Sequence, residues 1–193
     1  MTRVMAIDPV PPPSDIAVEK GLHGKDFEAF TVWGREGENY YLLDVSTNRG
    51  HEPDWTLNEF FRLGTKWRPR KVVVETVAYQ KTLQWLIEQA MKQRRQYYVL
   101  EEFRDKRKKF DRIVDAFSDI GFNGLLYIAP QFHDFITQFN DYPDVSHDDI
   151  LDSSAMALSV LRKNVFAADD FSDIVAADKE IPDLEYIANG MCP

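Results

Sequence analysis

The spacing of apolar and polar positions changes character several times along the chain. Val4–Ile7 is an unbroken apolar run closed by Asp8-Pro9, and Pro11-Pro12-Pro13 forces an extended excursion after it, which predicts a first strand and a loop. Phe27–Trp33 and Tyr40–Val45 are rich in β-branched and aromatic residues around the turn signal Gly34-Arg-Glu-Gly37, so they predict an antiparallel hairpin. Leu57, Phe60, Phe61 and Gly64 then share one helical face, and Lys71–Tyr79 reads as a buried strand. Leu83, Leu86, Ile87, Ala90 and Met91 return to helical spacing, and Tyr97–Leu100 reads as a further strand. Phe110, Ile113, Val114 and Phe117 repeat the helical period up to Gly121, with Leu125–Ala129 as a short last strand. Asp148–Leu161 closes the ordered pattern with a helix rich in small residues.

Three strands in a meander followed by strands alternating with helices predict an α/β domain. Its centre is a mixed sheet of five to six strands, three antiparallel and then parallel, flanked by helices. With 193 residues, 44% of them hydrophobic, the chain can build one core of ordinary size. Its single cysteine, Cys192, excludes an internal disulfide and a cysteine-rich zinc site. No stretch reaches the roughly 18 apolar residues of a membrane helix, and the N-terminus lacks the pattern of a secretory signal, so a cytosolic protein is expected.

The net charge of −9 argues against a passive nucleic-acid coat, but the charge is uneven. Ala167–Pro193 holds seven acids against Lys179 alone, leaving 1–166 nearly balanced. Residues 1–166 are therefore expected to be the folded domain and 167–193 an acidic C-terminal arm, either wrapping or disordered. Bases gather at Arg62–Lys71, at Lys92–Arg95 and at Arg104–Arg112; Lys106, Arg107, Lys109 and Arg112 suit either a solvated helix face or, if the site acts on nucleic acid, contacts to its phosphates, with the Arg62–Lys71 run a second candidate for such contacts.

Three acidic positions stand out by location: Asp8 at the end of an apolar strand, Glu75 within one, and Asp148-Asp149 at the start of the last helix. Burying a lone carboxylate costs several kcal/mol unless something positive sits beside it. If the first and fourth strands are neighbours, Asp8 and Glu75 project side by side, and the last helix brings a third carboxylate to them. Such hard oxygen ligands suit Mg²⁺ or Mn²⁺, and a pair of ions about 3.5 to 4 Å apart suits phosphodiester hydrolysis.

Other readings of the same residues stand beside this one. Asp8-Pro9 also suits a plain turn, and Glu75 a structural ion pair with a base from the 62–71 run. Ser146-His-Asp-Asp149 also forms an acceptable capping box. Asp44, Glu101 and Glu102 end or follow strands, Asp44 being an outside candidate for the site. Asp152 suits either orientation of a ligand or an exposed helix position. His147 suits a local hydrogen bond, a proton shuttle or a DNA contact, whereas His23, His51 and His133 form no pattern.

Taken in order, these segments resemble the C-terminal nuclease domain of the large terminase subunit of tailed bacteriophages, in the ribonuclease H-like group. The resemblance spans Val4 to Leu161. It rests on Ala6-Ile-Asp8-Pro9, Lys25-Asp-Phe-Glu-Ala29, Tyr40-Tyr-Leu-Leu-Asp44, Val72-Val-Val-Glu75, Lys109-Phe-Asp-Arg112-Ile and Tyr142-Pro-Asp-Val-Ser-His147-Asp-Asp-Ile-Leu-Asp152-Ser. By this resemblance the metal-binding acids fall on Asp8, Glu75 and Asp149, with Asp148 sharing metal. The implied activity is a metal-dependent endonuclease cutting double-stranded DNA with little sequence preference. The resemblance also implies a packaging ATPase domain or subunit, a portal and a small terminase subunit as partners, and the host cytoplasm as location. Gly21-Leu-His-Gly24-Lys25-Asp26 lacks the spacing and the Ser/Thr of a phosphate loop, so the motor is expected elsewhere. A junction resolvase, an RNA-strand-cutting ribonuclease, and a non-catalytic docking module with ion-paired acids are the competing functions.

Overall fold

The computed structural model describes residues 1–10, 27–49, 53–75 and 80–163. The proline run, the Gly21–Asp26 segment, the end of the Lys71–Tyr79 strand and the boundary at 166 with its acidic arm lie outside them.

Strand β1 (Thr2–Asp8) pairs antiparallel with β2 (Glu28–Glu36), from Thr2 opposite Arg35 to Asp8 opposite Ala29. A turn through Gly37, whose φ of 60° is open to glycine at no steric cost, leads into β3 (Asn39–Asn48). Helix α1 (Pro53–Trp67) precedes β4 (Lys71–Glu75), α2 (Gln80–Arg94) precedes β5 (Leu100–Phe103), and α3 (Lys109–Phe122) precedes the two-residue β6 (Leu126–Tyr127). Helices α4 (His133–Asp141) and α5 (Asp149–Lys163) complete the described elements. The sheet runs β5-β4-β1-β2-β3-β6, with β4 parallel to both β1 and β5, and β6 parallel to β3.

The period of two in these strands divides the apolar residues between two cores. Val4, Ala6, Trp33, Leu42 and Val73 point to one face and pack with Ile113, Phe117, Phe135, Leu151 and Leu158 of α3, α4 and α5. Met5, Ile7, Phe30, Val32, Val72 and Val74 point to the other and pack with Phe60, Leu63, Leu83 and Ile87 of α1 and α2. Met1–Arg162 make one compact unit, and no helix among the described residues is long and apolar enough to cross a membrane.

Helix α5 lies close on the sheet because Ser153, Ser154, Ala155 and Ala157 are small and fully buried. The Ser153 hydroxyl spends its proton on the Ala6 carbonyl (3.2 Å), so Thr31 Oγ1 is the donor in its 2.9 Å bond to Ser153 Oγ. This pins the first turns of α5 two residues from Asp8.

Two expectations shift and one element is added. The fifth strand is Leu100–Phe103 rather than Tyr97–Leu100: Tyr97 is 70% exposed, so its aromatic signal belongs to a loop. Helix α4 adds an element to those predicted, its Phe132, Phe135, Ile136 and Phe139 recurring at helical spacing. The last helix begins at Asp149, its first backbone bond running from Asp152 N–H to the Asp148 carbonyl (2.9 Å), so Ser146 lies outside it and the capping box does not form.

Candidate active site

Alternation decides where Asp8 points. It continues the Val4–Ala6 series, so it emerges on the face covered by α3 and α5, and Glu75 continues Val73 onto the same face. The parallel register ends with Ile7 beside Val74, which makes Asp8 and Glu75 neighbours at the carboxyl ends of adjacent strands. From there β1 hands the chain to β2 on one side and β4 hands it to β5 on the other, the divergence at which open α/β sheets form a crevice. The start of α5 closes it. Asp8, Glu75, Asp148, Asp149 and Asp152 line one cleft of about 530 Å³ together with Lys109 and Arg112 from the start of α3.

The acids are cross-linked by these two cations. The Arg112 guanidinium, 5% exposed, donates to Asp152 and reaches Glu75 at 3.4 Å. Lys109 Nζ lies 2.7 Å from Asp148, 3.3 Å from Asp152 and 3.8 Å from Asp149. Asp149 also accepts the Phe27 N–H at 3.2 Å. Burial, with Asp152, Glu75 and Asp149 close by, holds the Asp8 carboxyl well above the ordinary carboxylate range against the opposing pull of Lys109. Lys109 is pushed the other way: burial would lower it, but Asp152, Asp148 and Asp8 together raise it.

Asp105 and Arg107, which also line the cleft, pair with each other at 2.7 Å, so the other five carboxylates face two cations, a formal surplus of three negative charges. Among the described residues no three His, Cys, Asp or Glu side chains stand close enough to close on an ion, and Lys109 and Arg112 bridge the acids instead. The donor set itself, all carboxylate oxygens with excess negative charge, fits a hard divalent cation.

Asp8, Glu75, Asp148 and Asp149 are thus brought together. Asp44 is not: the register shift between Val32 and Trp33 puts it on the α1 face, held by Lys66 Nζ and Trp67 Nε1, each at 2.7 Å. Glu101 pairs with Lys71 and Glu102 with Arg104. The reading of Arg112 as a surface phosphate contact is corrected, since its guanidinium is buried against Asp152 and Glu75. That also supplies the partner of Glu75, which comes from α3 and not from the 62–71 run. Arg107 is bound to Asp105 (2.7 Å) and Asp115 (3.1 Å), Lys109 sits inside the acid cluster, and Lys106 is exposed. Asp152, 3% exposed, is the acid whose place sequence reasoning left open. Its spacing of one turn from Asp148 was the available signal. His147 meets Phe27 edge to face, ring centres 4.8 Å apart, at the lip of the cleft.

A family model described as the ribonuclease H-like domain of the bacteriophage T7 terminase matches residues 18–122, a span between Asp8 and Asp149 that contains Glu75. Among solved structures, the nuclease domain of the P22 large terminase is similar with a TM-score of 0.58 at 13% identity, over 83% of this chain and 81% of that one. The zinc-bound large terminase nuclease of thermophilic phage G20c gives 0.59 at 12% identity, over 82% and 80%. The manganese-soaked human cytomegalovirus terminase nuclease domain gives 0.57 at 10%, over 88% and 84%. At such identities the likeness shows a shared fold, that of the ribonuclease H-like group. No match is found among curated protein sequences.

Proposed function

The chain belongs to the family of the bacteriophage T7 terminase ribonuclease H-like domain, and from that premise we propose that it is a divalent-metal-dependent endonuclease. It cuts double-stranded DNA with little sequence preference, as the nuclease part of a viral genome-packaging terminase in the host cytoplasm. The observation that carries this reading is the convergence of Asp8, Glu75 and the Asp148-Asp149 pair, from three separate stretches of chain, on one cleft with surplus negative charge. Structures of the G20c nuclease with bound zinc and with bound magnesium, and of the manganese-soaked cytomegalovirus domain, support divalent metal as the cofactor.

Asp8, Glu75 and Asp149 would hold Mg²⁺ or Mn²⁺, with Asp148 sharing it, and two ions are the expected number. When bound, these ions supply Lewis acidity that activates water and stabilises the leaving oxygen of a phosphodiester. The protein's own groups prepare the cleft. Arg112 fixes Asp152 and one oxygen of Glu75. Lys109, spread over three carboxylates, holds them from repelling one another apart and stands ready to turn toward a phosphate. The packaging ATPase, the portal and the small terminase subunit are the partners this family membership suggests.

Incubating supercoiled plasmid with Mn²⁺ or Mg²⁺ tests the proposal: wild-type protein nicks and linearises it, and Asp8→Ala does not. Wild-type rates from Asp8→Ala would refute the assignment. The same ion pairs favour one second reading, a non-catalytic docking module whose acids are neutralised internally by Lys109 and Arg112. Calorimetry separates the two, since the docking reading requires no uptake of Mn²⁺ at millimolar metal.

A further inference from the structure

From Ile113 to Leu161 the sequence contains eight aspartates and no lysine or arginine. The α4 side of the cleft therefore repels a polyanion, and surplus positive charge must be sought elsewhere. It collects at the opposite end of the sheet, where the loops leading into β4 and β5 lie side by side. The Val72 N–H bonds the Val99 carbonyl at 2.8 Å, and the Arg70 N–H bonds the Arg3 carbonyl at 2.9 Å. A hollow of about 390 Å³ opens there between Thr65, Arg68, Gln96 and Tyr97.

Both helices that point at this hollow end the same way. Arg68 follows α1 with φ 46° and Arg95 follows α2 with φ 52°, and these are the two non-glycine residues with positive φ among the described residues. The Arg68 N–H returns to Gly64 (2.9 Å), and the Gln96 N–H to Met91 (3.1 Å), so each arginine occupies the left-handed position at a helix end where glycine is the usual choice. Retaining a side chain there has a steric cost, which directs attention to what the side chain does. Nearby bases are spent locally: Arg62 on Glu59, Lys66 on Asp44, Lys71 on Glu101. Arg68, Arg70, Lys92 and Arg95 are exposed and make no ion pair among the described residues. Tyr97, 70% exposed, adds an aromatic surface beside them.

We propose that this arginine-capped edge, formed by the α1–β4 and α2–β5 loops, is a second nucleic-acid contact, which binds the phosphate backbone of duplex DNA without base readout. Residue types and exposure suit it: unpaired guanidinium groups make bidentate contacts to phosphate, and sequence-independent binding needs no groove-reading element. The proposal takes from the preceding reading the identity of the polyanion; the surface is independent of the cleft. The edge lies five residues of β4 away from Glu75, about 16 Å, less than one duplex turn of about 34 Å, so it can tether DNA while the cleft acts.

The test is fluorescence anisotropy of a 30-base-pair duplex with the full-length chain, without divalent metal, across a salt series. The double variant Arg68→Gly, Arg95→Gly removes both charges while placing glycine where the backbone favours it, so folding is preserved and checked by thermal melting. Affinity should fall about tenfold or more at ~50 mM salt, and the slope of log K against log salt should shrink by about two. Unchanged affinity and slope overturn the proposal, as does wild-type protein that binds polyglutamate but no duplex, which would assign the edge to an acidic protein partner. The binding loss is expected equally on an Asp8→Ala background, so a failure of the nuclease reading and a failure of this one give different results.

Discussion

Each face of the sheet buries carboxylates, and the two faces treat them differently. On the α1 face Glu28 is 4% exposed and accepts the Thr56 hydroxyl at 2.9 Å, and burial, opposed by that bond, pushes it up to about 7. Glu59 on the same side is held by Arg62 Nε at 2.7 Å, and hydrogen bonds from Arg62 and Ser46 outweigh burial and keep it below the usual range. Each acid there has its own donors. On the α5 face five acids share Lys109 and Arg112, and Asp8 carries the repulsion of the rest. Burial alone is therefore no mark of a site. What separates the α5 face is crowding: like charges placed closer than the available cations neutralise, a cost that local packing never needs and that cation capture relieves.

The sharpest way to break this comparison is Asp8→Asn, which keeps shape and removes one charge. It should cut plasmid cleavage about a thousandfold or more while raising the melting temperature, because an elevated carboxyl destabilises the fold at neutral pH. Glu28→Gln, on the other face, should leave cleavage unchanged. Wild-type cutting by the Asp8 variant would remove the distinction between the faces.

Next in size, Arg112→Met should lower the unfolding free energy in urea by about 3–5 kcal/mol, since Asp152 and Glu75 keep their charge and lose their partner. The matching variant Arg62→Met on the α1 face, where the guanidinium is half exposed, should cost less than about 1 kcal/mol. A loss at Arg112 as small as that at Arg62 would mean that Asp152 and Glu75 do not depend on it for their charge.

Glu28→Gln should itself show a pH-dependent gain. The folded pKa lies above the unfolded one, so the native state binds more protons between about pH 4.5 and pH 7 and the wild type loses stability across that window as pH rises. Parent and variant should agree at pH 4, and by pH 8 the variant should be the more stable by about 2–3 kcal/mol. A constant difference at all pH values would contradict the elevated carboxyl.

The smallest effect is expected from Lys109→Met, which removes a competing cation from the cleft. Calorimetric Mn²⁺ affinity should rise by about three- to tenfold while cleavage falls, and affinity should weaken as pH drops through the raised range of Asp8. Weaker Mn²⁺ binding would show that Lys109 supports the metal site and does not compete with it.

Much of the architecture is legible in the chain because strands and helices with one apolar face announce their period. Val4–Ile7, Val72–Val74 and the small-residue helix from Ile150 onward all lie in the buried cores where pattern places them. The neighbouring position of Asp8 and Glu75 needed one further assumption, that the first and fourth strands pair, and the parallel β1–β4 register supplies it. Asp44 escaped pattern reading because one irregularity in the β2–β3 pairing reverses which face a residue meets. Helix α4 was legible too, since Phe132, Phe135, Ile136 and Phe139 recur at helical spacing, although the segment is only nine residues long.

The sequence by itself determined the order of elements, the two-sided sheet and which acids end a strand or open a helix, because these depend on local alternation and chain stiffness. Tertiary structure alone decided that Asp152 is buried, that Arg112 and Lys109 turn inward while Lys106 and Lys108 stay out, and that two distant helix ends meet beside one hollow. Charge interactions fall off with distance in space and carry no periodic signature along the chain, so their partners become visible only once the fold has set those distances.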